Sequence, residues 1–291
     1  MKTIALMTVK NEEWIIDTTF PPLRRVADKI IVADNNSTDD SSKLLKKYDV
    51  EIISNDSSTP SNTIRWKLFD TARERYGPNN LIICIDADEI IPPALFEKNK
   101  EKILTNIPGT VFSSPWVQVW RKVTQYRSDK GIWNPATNRK PFMFIDNGKI
   151  DYERTPLFID HVSRIPEINV KKSISLKIPL IHLQFVNWER SQIKQLWYQC
   201  MEVVNGNDID EINNKYKEAS NEENIKYKKL KKNWTEGVNL NSKIENFEIS
   251  DIWYVNEIKA MVNELGEEKF AKLNILNSSF ISKFMKDIKI L

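Results

Sequence analysis

The sequence predicts an α/β fold, a mostly parallel sheet with helices on both faces, followed by a C-terminal helical extension. Three observations predict it. Short apolar runs recur through the first third of the chain, with helix-period segments between them. Three of these runs end in polar clusters, at Lys10–Glu13, Asp34–Asp39 and Asp86–Glu89. After residue 186 the apolar positions recur every three to four residues, the spacing of a helix face.

Taken in order, Thr3–Val9 (TIALMTV) reads as a strand and Asn11–Thr19 as a helix. Lys29–Ala33 is a second strand ending at Asp34, Ser41–Tyr48 a short helix and Glu51–Ser54 a third strand. Thr63–Tyr76 is an amphipathic helix, with Ile64, Leu68 and Ala72 four apart, and Gly77-Pro78 stops it. Leu81–Ile85 is the fourth strand. Such β-α-β succession places strands side by side in parallel, and ligands of such sheets bind at the carboxyl ends of the strands. From Thr110 the pattern changes to strands at Val111–Ser113, Trp116–Trp120, Pro141–Ile145 and Leu176–Ile181, with a polar, aromatic loop at Gln125–Lys140. Past His182 a helix carries Ile193, Trp197, Cys200 and Val204 on one face, and residues 208–234 and 250–274 read as charged helices.

Composition narrows the function classes. The chain has 291 residues, 43 basic against 40 acidic, for a net charge of +3. That balance gives no support to nucleic-acid binding. Its two cysteines, Cys84 and Cys200, fall in apolar patterns and read as buried thiols, not a disulfide framework. No apolar run approaches the roughly 20 residues of a spanning helix, and no signal-peptide core opens the chain. A cytoplasmic location is expected. With only 7 glycines there is no G-x-G-x-x-G and no P-loop, and neither G-x-S-x-G nor H-E-x-x-H occurs. Any nucleotide must be held without a glycine-rich cradle.

The chemistry concentrates in Leu81–Glu89, an apolar run that ends in Asp86, Asp88 and Glu89. In an extended segment Asp86 and Asp88 share a face. Two carboxylates so close repel unless a cation sits between them. Oxygen ligands suit Mg²⁺ or Mn²⁺, and Mg²⁺ is usually shared with substrate phosphates. The plainer reading makes Asp88 a helix cap, with Pro92-Pro93 in the first turn. Ser37 to Asp40 read as turn and cap residues. Asp34, the last strand residue, either caps or accepts hydrogen bonds from a nucleobase or ribose.

Three segments, Thr8-Val-Lys-Asn-Glu-Glu13, Ile31-Val-Ala-Asp-Asn-Asn-Ser-Thr-Asp39 and Ile85-Asp-Ala-Asp-Glu89, resemble the family 2 glycosyltransferases of the GT-A fold. Order, spacing and strand-end placement agree over roughly residues 1–115. The resemblance implies a single Rossmann-like sheet in a catalytic domain of residues 1–185. Its nucleotide-sugar half is about 1–115 and its acceptor half about 116–185, with residues 186–291 as the extension. It implies that Val9, Asn11, Glu12 and Asp34 line the nucleoside pocket, with Arg65 as a basic residue near the nucleotide. By the same carry-over Asp86 and Asp88 face the ribose and a diphosphate-bound Mn²⁺ or Mg²⁺. His182 stands where the family often has a further metal ligand, with His161 as its competitor. The family commonly has Pro and Tyr where this chain has Val9-Lys10.

Inversion at an anomeric carbon requires a base for the acceptor hydroxyl. Glu153 is the first choice and Asp151 the second, with Asp160 nearby; solvated loop carboxylates are the plain alternative. Trp116, Trp120 and Trp133 either stack on sugar rings or belong to the core. Arg139 and Lys140 either cover the diphosphate as part of a lid or are solvated. Lys226, Lys228, Lys229, Lys231 and Lys232 form a basic helix face. Its functional reading is attraction to anionic lipid at the inner face of a membrane.

The expected activity is therefore metal-dependent, inverting transfer of a sugar from a nucleoside-diphosphate sugar to a hydroxyl. UDP is the nucleotide by family habit. The acceptor is a glycan or glycolipid of bacterial surface-glycan synthesis, and nucleic acid is not a partner. A sugar-phosphate nucleotidyltransferase is the second class, although its glycine-rich basic N-terminal loop is missing. A non-catalytic carbohydrate- or membrane-binding relative is the third, and intact Asp86, Asp88 and His182 argue against it.

Overall fold

Four parallel strands carry the first half of the fold. They are β1 (Thr3–Val9), β2 (Lys29–Asp34), β3 (Glu51–Ser54) and β4 (Leu81–Cys84), in the spatial order β3-β2-β1-β4. The computed structural model describes residues 1–55, 62–149, 164–166, 168–220, 222–245 and 253–288. Strand alternation sorts the side chains into two cores. Ala5, Met7, Val9, Ile30, Val32, Leu81 and Ile83 face helix α1 (Glu13–Val26), which inserts Ile16, Phe20 and Leu23. Ile4, Leu6, Ile31, Ala33, Ile82 and Cys84 face the opposite way. There the short helix α2 (Ser41–Leu45) is followed in sequence by α3 (Asn62–Tyr76), which contributes Ile64, Leu68, Phe69 and Ala72. Burial on both faces is why these strands read as continuous apolar runs.

Helix α1 runs seven residues past its expected end at Thr19, through Pro21 and Pro22. An interior proline costs about 3 kcal/mol. Burial of Pro22, Leu23 and Val26 lies on the other side of the balance, at roughly 1.5–3 kcal/mol per large apolar side chain. Packing wins over local propensity here.

The sheet then changes character. Strand β5 (Glu89–Ile90) and helix α4 (Pro93–Leu104) follow β4, and α4 sends Phe96 and Ile103 into the first core. Next come β6 (Thr110–Gln118), β7 (Gln125–Arg127), β8 (Arg139–Ile145), β9 (Lys172–Ser175) and β10 (Leu180–His182). The sheet extends in the order β4-β8-β6-β10-β5, with β8 antiparallel to both neighbours. Strands β9 and β10 lie in succession along the same edge of β6, both parallel to it. The two strands expected at 111–113 and 116–120 are one strand, which crosses Pro115 and shifts register between Phe112 and Ser113. Of the strand expected at Leu176–Ile181 only Leu180 and Ile181 are in a strand, β10; residues 176–179 connect β9 to it.

The chain past residue 186 builds a third core. Helices α5 (Trp188–Val204), α6 (Ile209–Ser220), α7 (Tyr254–Leu265) and α8 (Ser279–Asp287) bury Leu196, Ile212, Ile258 and Ile281 together. The lysine run does not form a helix face. Strand β11 (Tyr227–Lys229) pairs antiparallel with β7 and leaves Tyr227, Lys228 and Lys229 exposed. The run lacks an apolar stripe that would hold a helix against the core. Among the described residues no helix is long and apolar enough to cross a membrane. Cys84 and Cys200 are both buried free thiols, and burial pushes each up to about 12.

The sheet-to-α1 core has one simple test. Phe20 is fully buried, so Phe20→Ala is expected to cost about 3–5 kcal/mol in urea unfolding. A loss below about 1 kcal/mol would contradict the packing described.

Candidate active site

Two loops at the carboxyl rim are laced together by short polar side chains. Asn11 and Asn36 sit at φ +53° and +55°, the left-handed region that asparagine tolerates better than other non-glycine residues. This is how a chain poor in glycine makes tight strand-end turns. The Asn11 side-chain oxygen accepts from Thr38 N–H at 2.6 Å, Ser37 Oγ accepts from Asn11 N–H at 2.9 Å, and Ser41 Oγ accepts from Glu12 N–H at 2.8 Å. Asp34 Oδ1 accepts from Ser37 N–H at 3.0 Å and Oδ2 accepts from Ser42 Oγ. Asn11 and Asp34 therefore brace the loops, and Asn35 forms the adjoining cavity wall.

Beside this brace opens a cavity of about 710 Å³. Val9, Glu12, Arg65, Asp86, Asp88 and His182 all line it. The acidic stretch enters it as a turn, not as extended strand: β4 ends at Cys84, and Glu89 N–H donates to Asp86 O at 3.1 Å. Asp86 meets Arg164 at 2.6 Å and Arg65 at 3.6 Å. Burial alone would raise its pKa, but Arg164 and then Arg65 outweigh that and hold it below the usual carboxylate range. Glu89 is fully buried; its Oε2 meets Arg164 Nη1 at 2.6 Å, and its Oε1 accepts from Trp116 Nε1 at 2.8 Å. Burial dominates at Glu89 and raises its pKa despite Arg164. Burial likewise raises Glu12, against the pull of Arg190 and Lys194.

Strand pairing delivers the histidine. His182 lies opposite Glu89 on one side and Gln118 on the other. Its Nδ1 is 2.6 Å from Gln118 Oε1. Because that oxygen is an acceptor, Nδ1 turns a proton toward it; Nε2 faces Asp88 Oδ1 3.4 Å away, donating to it when the ring is protonated and offering a lone pair when the ring is neutral. Trp116 stacks on the imidazole at 4.8 Å and fixes its plane. The other carboxylate oxygen, Asp88 Oδ2, is buried with no hydrogen-bond partner among the described residues. The nearest cation to it is Lys194 Nζ at 4.0 Å. Burial would raise the Asp88 pKa, but His182, Lys194 and Arg190 hold it far below the usual range.

These residues fit a divalent cation that a substrate helps to hold. An ionised oxygen without a partner beside an imidazole lone pair is a suitable donor set. Among the described residues no three His, Cys, Asp or Glu side chains cluster as a metal site. A diphosphate would have to supply the remaining ligands, as is usual for Mg²⁺.

Other expected residues fall elsewhere. Glu153, Asp151, Asp160 and His161 lie outside the described residues. Trp120 and Trp133 are buried against Phe185 and Trp188 with Arg127 between their rings, so they are core and not a sugar platform. Trp116 does line the cavity. Arg139 does not cover a diphosphate: it donates to the carbonyls of Ser113 and Leu176. Lys140 lies 4.5 Å over Trp116, and burial with Arg164 nearby lowers its pKa. Sequence reasoning missed Arg164, Gln118, Arg190 and Lys194. The last two carried a legible signal, being charged residues four apart beside the apolar stripe of α5. Arg164 carried none.

Fold and site together define a GT-A type protein, with its cavity at the carboxyl rim of a mostly parallel sheet. The chain belongs to glycosyl transferase family 2, whose family model matches residues 5–159. Among solved structures it is similar to S. aureus TarS 1–349 in complex with UDP-GlcNAc, at 12% identity and TM-score 0.42, covering 100% of this chain and 89% of that one. It is also similar to glucosyl-3-phosphoglycerate synthase from Mycobacterium tuberculosis in complex with Mn²⁺ and UDP-glucose, at 20% identity and TM-score 0.27. That match covers 41% of this chain and 44% of that one. A mycobacterial protein of unstated function matches at 18% identity and TM-score 0.30, over 40% of this chain and 41% of that one. No curated protein matches the chain.

Arg164 offers a stability test with a definite sign. Ionised Asp86 stabilises the fold fully above its unfolded value of about 3.9, and the contribution is lost as pH falls through the lower folded value. Arg164→Met removes the guanidinium that Asp86 and Glu89 share. It is expected to lose about 3 kcal/mol in urea unfolding at neutral pH. That deficit should shrink below about pH 4, where acid neutralises the stranded carboxylates. A deficit constant across this range would show that Arg164 acts through packing alone.

Proposed function

We propose that the chain is a metal-dependent, inverting glycosyltransferase. It moves a sugar from a nucleoside-diphosphate sugar, with UDP our choice of nucleotide, to a hydroxyl of a glycan or glycolipid in surface-glycan synthesis. The observation that carries this reading is Asp88 Oδ2, buried and without a hydrogen-bond partner among the described residues, beside His182 at the sheet's rim. We take residues 1–185 as the catalytic unit and 186–291 as an extension that closes its cavity.

Each residue then has a role. Val9, Glu12, Asn35 and Arg65 flank the nucleoside, while Asn11 and Asp34 hold the loops that shape its pocket. Asp86 faces the ribose. Asp88 and His182 would hold Mn²⁺ or Mg²⁺, which when bound offsets the charge of the leaving diphosphate. Gln118 keeps His182 in the tautomer that presents Nε2, and Trp116 keeps the ring in plane. Glu153, with Asp151 second, accepts the acceptor's hydroxyl proton. As the acceptor oxygen bonds to the anomeric carbon, the bond from that carbon to the β-phosphate oxygen breaks and its electron pair stays on the phosphate. The exposed lysines of the β7–β11 ribbon attract anionic headgroups and bring a cytoplasmic enzyme to the inner membrane face.

A thermal-shift series of UDP, GDP, CDP and dTDP, each with and without Mn²⁺, tests the reading. UDP is expected to raise the melting midpoint most and only with metal, since a ligand at 100-fold its Kd adds about 2.7 kcal/mol. Asp88→Ala should abolish the metal-dependent part together with donor hydrolysis. Release of pyrophosphate from a nucleoside triphosphate and a sugar phosphate would instead identify a nucleotidyltransferase.

A further inference from the structure

We infer that Lys194, on the first helix of the C-terminal extension, binds the departing diphosphate; this rests on the donor reading above. The Lys194 side chain is 12% exposed and lines the cavity. Its ammonium lies 4.0 Å from Asp88 Oδ2 and 5.9 Å from the centre of the Tyr198 ring. Among the described residues no oxygen accepts a hydrogen bond from it. An ammonium carries three donors, and burying them without acceptors is costly. Of the other cations that line the cavity, Arg164 bridges Asp86 and Glu89, Lys10 holds Glu257, Lys215 holds Glu202, and Lys140 lies over the Trp116 ring.

The position of this ammonium points to its ligand. Arg190 and Lys194 stand one turn apart on α5. Arg190 reaches Glu12 at 3.5 Å, on the loop after β1, while Lys194 reaches Asp88 on the acidic turn. The helix thus lies across the rim from the loop after β1 to the acidic turn. Asp88 Oδ2 also lacks a hydrogen bond. A buried carboxylate oxygen and a buried ammonium, close but not in contact, leave room for an anionic group that faces the ammonium and shares a cation with the carboxylate. A diphosphate is such a group. During transfer it gains one negative charge, because the electron pair of the broken bond to the anomeric carbon stays on the β-phosphate oxygen. A fixed cation there is worth more in the transition state than in the ground state. A phosphate or carboxylate on the acceptor presents the same chemistry, and the assignment made here is to the donor.

The test uses the full chain with Lys194→Met and Lys194→Arg. Binding of UDP, GDP, CDP and dTDP, and of their parent nucleosides, is measured by calorimetry with Mn²⁺. Donor hydrolysis is followed in parallel with the UDP-sugar. Lys194→Met is expected to weaken diphosphate binding about tenfold to a hundredfold and to leave nucleoside binding unchanged. Hydrolysis should fall mainly in kcat, and Arg should restore part of it. Unchanged diphosphate affinity with a lowered midpoint would overturn the inference and make Lys194 a brace for Asp88. Unchanged diphosphate affinity with weaker binding of inorganic phosphate at saturating UDP would overturn it in favour of an acidic acceptor. Wild-type protein that binds none of the diphosphates would sink the donor reading itself, a different result from either.

Discussion

Three carboxylates within four residues, at the foot of a buried strand, set the terms for the rest of this molecule. Asp86, Asp88 and Glu89 repel one another, and the low polarity around them magnifies the repulsion. They stay together because cations are brought in from far along the chain: Arg65 from α3, Arg164 from beyond β8, and Lys194 from α5. Remove that supply and the cost of burying unpaired charge falls on the same turn that shapes the cavity. The chemistry and the stability of the site are thus coupled through one cluster.

The arrangement is uneven in a useful way. Glu89 is satisfied on both oxygens and Asp86 is bridged by two arginines, so both residues anchor the turn. Asp88 is left half satisfied, with a histidine on one oxygen and, among the described residues, no hydrogen bond to the other. A buried polar group left open is costly, and such sites accumulate where a ligand completes them. The histidine is aligned by its strand register between Gln118 and Glu89, and by Trp116 against its ring. Sheet geometry therefore determines what surrounds Asp88.

Much of the architecture was legible because it is local. Strand alternation in Thr3–Val9 and Leu81–Cys84 assigns every side chain to one of two faces without knowledge of the partners. The polar strand ends were equally plain. Where reading failed, longer-range packing had overruled a local signal. The helix read over Asn11–Thr19 continues through Pro21 and Pro22 because its far side is buried. The strands read at 111–113 and 116–120 are joined, because β6 passes through Pro115 between its partners. The lysine run reads as a helix face, yet an open edge of β7 captures it as a strand.

The sequence by itself determined which strands are buried, which carboxylates stand at their ends, and which family the motifs resemble. These follow from periodicity and composition over windows of a few residues. Only the tertiary structure decided that Asp34 and Asn11 brace the loops while Asn35 faces the cavity. It also decided that Trp120 and Trp133 are core, and that Arg164 and Lys194 flank the acidic turn. The pairings of Arg164 and Lys194 with the acidic turn join residues separated by 70 positions or more, as with Arg164 and Glu89 at a separation of 75. Charge has no periodicity along the chain, so a side chain's sign is written in the sequence while its partner is set by the fold.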